Sequence, residues 1–206
     1  MKSKTLFLSL IALIIFTSVS FADSPITSTY FATAYKDYKI IKKASEANGL
    51  LTKKLMKYLL KKKNPIDVKM AIINELSWDI DGRTNSVIFF DFLKKERGYA
   101  DKEDFLKNAS GDEILCMAYL KAMDDYFDVN EALVFAKKAL EKNNKSYTFN
   151  IITALISAQK AFDTNWCQVY HISNNVRINK ELKMDMKSKA IEIIFDYQDI
   201  YLDTCE

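Results

Sequence analysis

Three groups of residues in this chain have types and spacing that chemistry could use. Cys167 and His171 stand four apart, which on a helix puts a thiol and an imidazole on one face, half of a tetrahedral zinc site. The other half has no matching pair, because His171 is the only histidine and Cys116 and Cys205 show no paired spacing. The same two side chains have the identities of a thiol nucleophile and its base, but neighbours on one helix turn are not how such dyads usually meet a substrate. They read as a packed cysteine and a half-buried histidine, so no catalytic, cofactor-binding or metal-ligating residue is assigned.

The second group is the loop Ser77-Trp78-Asp79-Ile80-Asp81-Gly82-Arg83-Thr84-Asn85. With Gly82 as the sixth residue of a calcium loop, Asp79 and Asp81 fall at the third and fifth positions and Asn85 at the ninth. The first position is then Ser77, and the twelfth, where calcium takes a bidentate Glu, is Ile88. Those two losses remove much of the ligand charge and leave a turn between helices, with Asp81-Gly82 suiting its geometry. The acidic group Asp124, Asp125, Asp128 and Glu131 likewise reads as a helix end with its capping residues.

The third group is lysine. From Lys36 to Lys63 ten lysines stand against Asp37 and Glu46, whereas Ala190 to Glu206 holds five acids and no base. Lys53, Lys54, Lys57, Lys61, Lys62 and Lys63 are the candidate surface for an acidic partner or an anionic membrane face, drawn by the field of such a pole. The plainer reading is a solvated helix face, with Lys61 to Lys63 ending a helix. Tyrosines without an obvious inward position (Tyr30, Tyr147, Tyr201) would suit peptide or carbohydrate recognition, since tyrosine gives contact area at low entropy cost.

These residues need elements to hold them. The chain opens with Met1-Lys2-Ser3-Lys4, an apolar run from Leu6 to Phe16 and a small-residue close at Ser20-Phe21-Ala22, the layout of a cleavable secretion signal over residues 1–22. The run is too short to span a bilayer, and no second one follows. Taking Lys2 and Lys4 from the 30 basic residues leaves 28 against 27 acidic ones, poor support for nucleic-acid binding. Residues 23–206 are then expected to be one domain, exported to the periplasm or secreted.

That domain is expected to be all-α. Four glycines and two prolines are too few for the turns of a β-sandwich, and apolar residues recur every three or four positions. One stripe runs Phe31, Ala34, Tyr35, Tyr38 and Ile41, stopped by Asn48-Gly49, and the next runs Leu51, Leu55, Tyr58 and Leu59. Asn64-Pro65 is a helix start, and Ser110-x-x-Glu113 and Asp128-x-x-Glu131 have capping-box spacing. Helices follow near 146–161 and 163–176, and a last one near 184–202 has Gln198 interrupting its stripe. Three cysteines are an odd number. If one disulfide forms, Cys167–Cys205 would staple the tail to a helical hairpin, leaving Cys116 on an apolar stripe as a buried thiol, and full reduction of all three is the alternative.

Phe127-Asp128-Val129-Asn130 returns after 35 residues as Phe162-Asp163-Thr164-Asn165. The piece from Asp128 to Asn143, with Ala132 and Ala139 at close-packing positions, resembles the second helix of a tetratricopeptide repeat. The resemblance covers residues 111–176, lacks a proline after the second helix, and carries Trp166, Cys167 and His171 where the first copy has Glu131, Ala132 and Ala136. It implies antiparallel hairpins stacked as an irregular α-α superhelix, with a compact helical bundle as the alternative. The function expected from this is non-enzymatic binding of a protein or peptide partner, including an immunity or inhibitor role. The alternative is a cell-wall or carbohydrate hydrolase using a carboxylate pair that no spacing nominates.

Overall fold

The computed structural model describes residues 23–78 and 82–205. The signal-like segment 1–22, and Asp79, Ile80 and Asp81 of the calcium-like loop, lie outside the described residues. A 3-10 turn (Phe31–Tyr35) leads into α1 (Lys39–Ser45), α2 (Lys53–Leu60), α3 (Ile66–Leu76), α4 (Asn85–Arg97), α5 (Lys102–Asn108) and α6 (Gly111–Asp124). Then follow α7 (Asn130–Lys142), α8 (Tyr147–Phe162), α9 (Trp166–Ile178), α10 (Ser188–Gln198) and a closing 3-10 segment, Asp199–Thr204. Among the described residues there is no strand, only one isolated bridge between Ser146 and Lys183. The fold is all-α.

The start signals act where the chain is locally self-sufficient. Ser110 and Glu113 form a full capping box on α6, and Ser146 and Asn165 cap α8 and α9 by accepting from Phe149 N–H and Gln168 N–H. Asn48 and Gly49 both take left-handed backbone, with φ of 48° and 78°, and end the α1 segment. Three expectations need correction. Asn64 does not cap α3, whose N-cap is Pro65. Its amide instead donates to the Tyr58 carbonyl and closes the end of α2. Asp128 forms no capping box; it accepts from the backbone and side chain of Asn130 within the turn. The helix expected from Phe31 to Ile41 is broken after Tyr35, because Phe31, Ala32 and Tyr35 turn inward together against α3 and α10.

Helices α6 and α8 are buried on nearly every face, and the remaining helices are wrapped around them. From α6 to α9 consecutive helices pack as hairpins across short connections, with Ala132, Ala136 and Ala139 of α7 almost wholly buried. The ends of the chain depart from a simple stack: α3 packs on α6, and the turn at 31–35 packs on α10, so elements far apart in sequence touch. A one-dimensional solenoid has contacts only between neighbours. Gln198, the interruption of the last stripe, is fully buried and accepts from Ser173 Oγ across the α9–α10 interface at 3.1 Å.

One buried amide fastens the N-terminal segment. Asn74 Oδ1 accepts from Ala32 N–H at 2.8 Å, and its Nδ2 donates to the Thr29 carbonyl and to Tyr119 Oη, both at 3.0 Å. Replacing Asn74 with alanine leaves those buried groups without partners. Asn74→Ala is expected to cost at least about 2 kcal/mol in urea unfolding at neutral pH, against no measurable change for the exposed Lys63→Ala. A loss below about 0.5 kcal/mol would show that the N-terminal turn is not held this way.

Candidate functional site

Helix α2 is amphipathic by construction. Leu55, Met56 and Leu59 are buried against the core, which leaves Lys53, Lys54 and Lys57 pointing outward, and Lys61 continues the same face just past the helix end. Together with Ile40 of α1 and Tyr58, these four lysines line an open groove of about 490 Å³. Lys62 faces a different cleft, beside Lys69 and Arg97, and Lys63 is exposed in the turn that follows. Four of the six nominated lysines are thus brought to one groove, and two are not.

The charge of this groove meets no acidic partner among the described residues. Among the described residues, none of the six lysines takes part in an ion pair. Asp37, one of the two acids in this stretch, is engaged by Lys187 at 3.3 Å. Lys54 instead meets Lys43 of α1, whose hydrogen bond and repulsion hold the Lys54 amine below the usual lysine range. At the opposite pole two acids are already paired, Asp199 with Arg177 at 2.8 Å and Glu192 with Lys189 at 2.9 Å.

A second polar cleft, which the sequence analysis missed, lies on the other side of the α2–α3 turn. Lys69 is buried within α3 and its Nζ reaches Asp112 Oδ2 at 2.7 Å. Glu113 accepts from Arg97 Nε at 2.9 Å, from Ser110 N–H and O–H at 3.0 and 2.9 Å, and from Tyr99 Oη at 3.3 Å. Burial pushes the Glu113 carboxyl up, but these donors outweigh it and hold the group below its ordinary value. Burial and the Glu113 carboxylate together push the Tyr99 phenol up to about 12. The available signal was Lys69 itself, a charge inside the otherwise apolar run from Val68 to Ile73.

The acidic group at 124–131 is structural. Asp124 accepts from Asn85 N–H and Ser86 N–H at 3.2 and 2.7 Å, so it caps α4 from a distant turn. Glu131 is gripped by Lys102 and by Lys121, both of which also stand over the Phe135 ring. Val87 of α4 is exposed and lines a cleft with Phe90 and Phe135. Of the tyrosines proposed for recognition, Tyr147 and Tyr201 are buried. Tyr30 is exposed and donates to Glu75 at 2.5 Å.

Cys167 and Cys205 form a disulfide with Cα atoms 4.8 Å apart. His171 joins them: the ligand atoms of Cys167, His171 and Cys205 all lie within 4.8 Å of one another. Cys116 is a buried free thiol on α6, and burial pushes its pKa well up, which makes it a poor nucleophile. No helix among the described residues is long and apolar enough to cross a membrane. No family model matches this chain, and no curated protein or solved structure shows significant similarity to it.

Glu113 sets a pH dependence that can be measured. Its folded pKa lies below the unfolded value near 4.3, so its contribution is complete above that value and is lost as pH falls through the folded one. Glu113→Gln is expected to destabilise the chain by about 1–3 kcal/mol at pH 7, and the gap from wild type should close in acid. A gap that stays constant from pH 7 to about pH 3 would contradict the network.

Proposed function

We propose that this chain is a non-enzymatic binding protein that holds an acidic segment of a protein or peptide partner in the groove between α1 and α2. The observation that carries this reading is the set Lys53, Lys54, Lys57 and Lys61, which lines one groove with no ion pair among the described residues. Ile40 and Tyr58 add apolar contact between the ammonium groups, as a peptide needs and a free inorganic anion does not. The near balance of total charge supports a protein partner over nucleic acid. Residues 1–22 read as a secretion signal, so the partner is proposed to lie in the cell envelope or outside the cell, where an immunity or inhibitor role fits equally. The hairpins from α6 to α9 are read as tetratricopeptide-like, serving as the support for the N-terminal surface.

A second reading, a hydrolase of cell-wall or carbohydrate substrates, draws on the cleft lined by Tyr30, Lys36, Glu46 and Glu75, where two carboxylates share one opening. The carboxyls of Asp67 and Asp124, which burial pushes up, weigh less for catalysis because their oxygens are engaged by Tyr35 and by backbone N–H groups of α4.

The binding reading is tested with residues 23–206 and a fluorescent Glu-rich peptide, followed by anisotropy. Binding is expected to weaken steeply between about 50 and 200 mM salt, as screening shortens the reach of exposed charge. Reversing Lys53, Lys54, Lys57 and Lys61 to Glu should lower affinity by at least about tenfold, or about 1.4 kcal/mol, with helix content unchanged. Equal binding by the reversed variant, or binding indifferent to salt, overturns the assignment. Clearing of a cell-wall suspension that is lost on Glu75→Gln would establish the hydrolase instead.

A further inference from the structure

The end of the molecule remote in sequence from the basic groove carries a second chemistry. On α9, Cys167 and His171 share one face because they are a turn apart, and the closing segment Asp199–Thr204 packs on the same helix and delivers Cys205 beside them. Two sulfurs, joined here as a disulfide, and one imidazole are thereby gathered from two elements, with their ligand atoms all within 4.8 Å of one another. In a tetrahedral zinc site with Zn–S bonds of about 2.3 Å and Zn–N bonds of about 2.0 Å, donor atoms stand about 3.5–3.8 Å apart. Reaching that spacing requires the Cys167–Cys205 bond to open so that the two sulfurs can separate.

Contacts besides the sulfur–sulfur bond join the closing segment to α9. Tyr201 is buried, with its ring edge-on to Phe162 at 5.9 Å and near Trp166 at 6.5 Å. Arg177 ties α9 to Asp199 at 2.8 Å. These contacts do not involve either sulfur, so opening the Cys167–Cys205 bond removes none of them directly. His171 is exposed, so a cation can enter from solvent, and water can complete the fourth position.

We propose that Cys167, Cys205 and His171 form a redox-gated site that binds one Zn²⁺ when the cysteines are reduced and releases it when they are oxidised. Opening the site takes two electrons and two protons from a dithiol reductant, which becomes a disulfide while the Cys167–Cys205 bond becomes two thiols. Binding Zn²⁺ then forms two Zn–S bonds and one Zn–N bond and releases one proton from each thiol, with His171 bound as neutral imidazole. An oxidant of the disulfide class reverses the sequence by taking two electrons from the two sulfurs, and the cation leaves because a disulfide is a poor ligand. The site is independent of the basic groove and stands or falls separately from it.

The experiment is a titration of the purified chain, reduced with a phosphine under argon and freed of reductant, first with Co²⁺ and then with Zn²⁺. One equivalent of Co²⁺ is expected to bind with a sulfur-to-cobalt charge-transfer band and the intense visible bands of a tetrahedral ion, and Zn²⁺ should displace it. Cys167→Ser and Cys205→Ser should abolish the bands. His171→Ala, a surface change that leaves the helix intact, should weaken Zn²⁺ binding at least about tenfold. The oxidised chain should bind neither ion. The proposal is overturned if the reduced chain binds no metal or loses its helical circular dichroism, if the oxidised chain binds equally, or if His171→Ala retains wild-type affinity.

Discussion

The arrangement of the N-terminal third depends on a buried hydrogen-bond requirement that one side chain meets. The single 3-10 turn at Phe31–Tyr35 enters the core with no N-cap side chain for its first amides, and unpaired buried amides and carbonyls cost free energy comparable to a lost hydrogen bond. Asn74 meets that need from α3 while also binding Tyr119 of α6, so one residue joins three elements. A second junction strengthens the first. Tyr35 Oη donates to Asp67 at 2.9 Å and accepts from Lys187 N–H at 3.2 Å, and the Lys187 ammonium stands over the Tyr35 and Tyr38 rings. Asp185, two residues earlier, accepts from Ser146 Oγ at 2.6 Å and from Thr148 N–H at 2.8 Å at the start of α8. The two ends of the chain are thus fixed to each other through polar groups.

This explains how a surface crowded with like charge can persist. The α1–α2 hairpin is attached from its inner side, through Ile41, Ala44, Leu55 and Leu59, while α3 is held by Asn74 and Asp67. Its lysines therefore contribute little to the fold and are free to be arranged for something else. Repulsion among exposed ammonium groups is weak in water and screened by salt, so the groove is tolerated without being stabilised. The cleft around Glu113 behaves oppositely: there the buried Glu113 and Lys69 are each paired with an opposite charge, and the network belongs to stability.

Much of the architecture was legible from periodicity and caps. The stripes gave the all-α class, Ser110 and Glu113 marked the start of α6, and Asn48-Gly49 marked the end of the α1 segment, because each of those signals is complete within a few residues. What was not legible involved partners distant in sequence. Phe31 to Ile41 has helical spacing, yet Asn74 and Asp67 capture its first half. Asp124 looked like a helix end, and no local pattern reveals that it also caps α4, binding Asn85 and Ser86 which stand 39 and 38 residues earlier in the chain. His171 and Cys167 were visible as half of a ligand set, and the third member, Cys205, becomes a neighbour only when the closing segment folds back. The lysines were legible as a charge excess, but only the packing of α2 separates the four that share a groove from Lys62 and Lys63.

We propose that the groove between α1 and α2 binds an acidic partner. The most direct measurement is backbone amide chemical-shift mapping of ¹⁵N-labelled residues 23–206 titrated with a Glu-rich peptide. The account predicts saturable shifts confined to α1 and α2, strongest around Lys43, Lys54, Lys57 and Tyr58. Shifts concentrated elsewhere, such as the cleft of Val87, Phe90 and Phe135, or none at a saturating concentration, would contradict it.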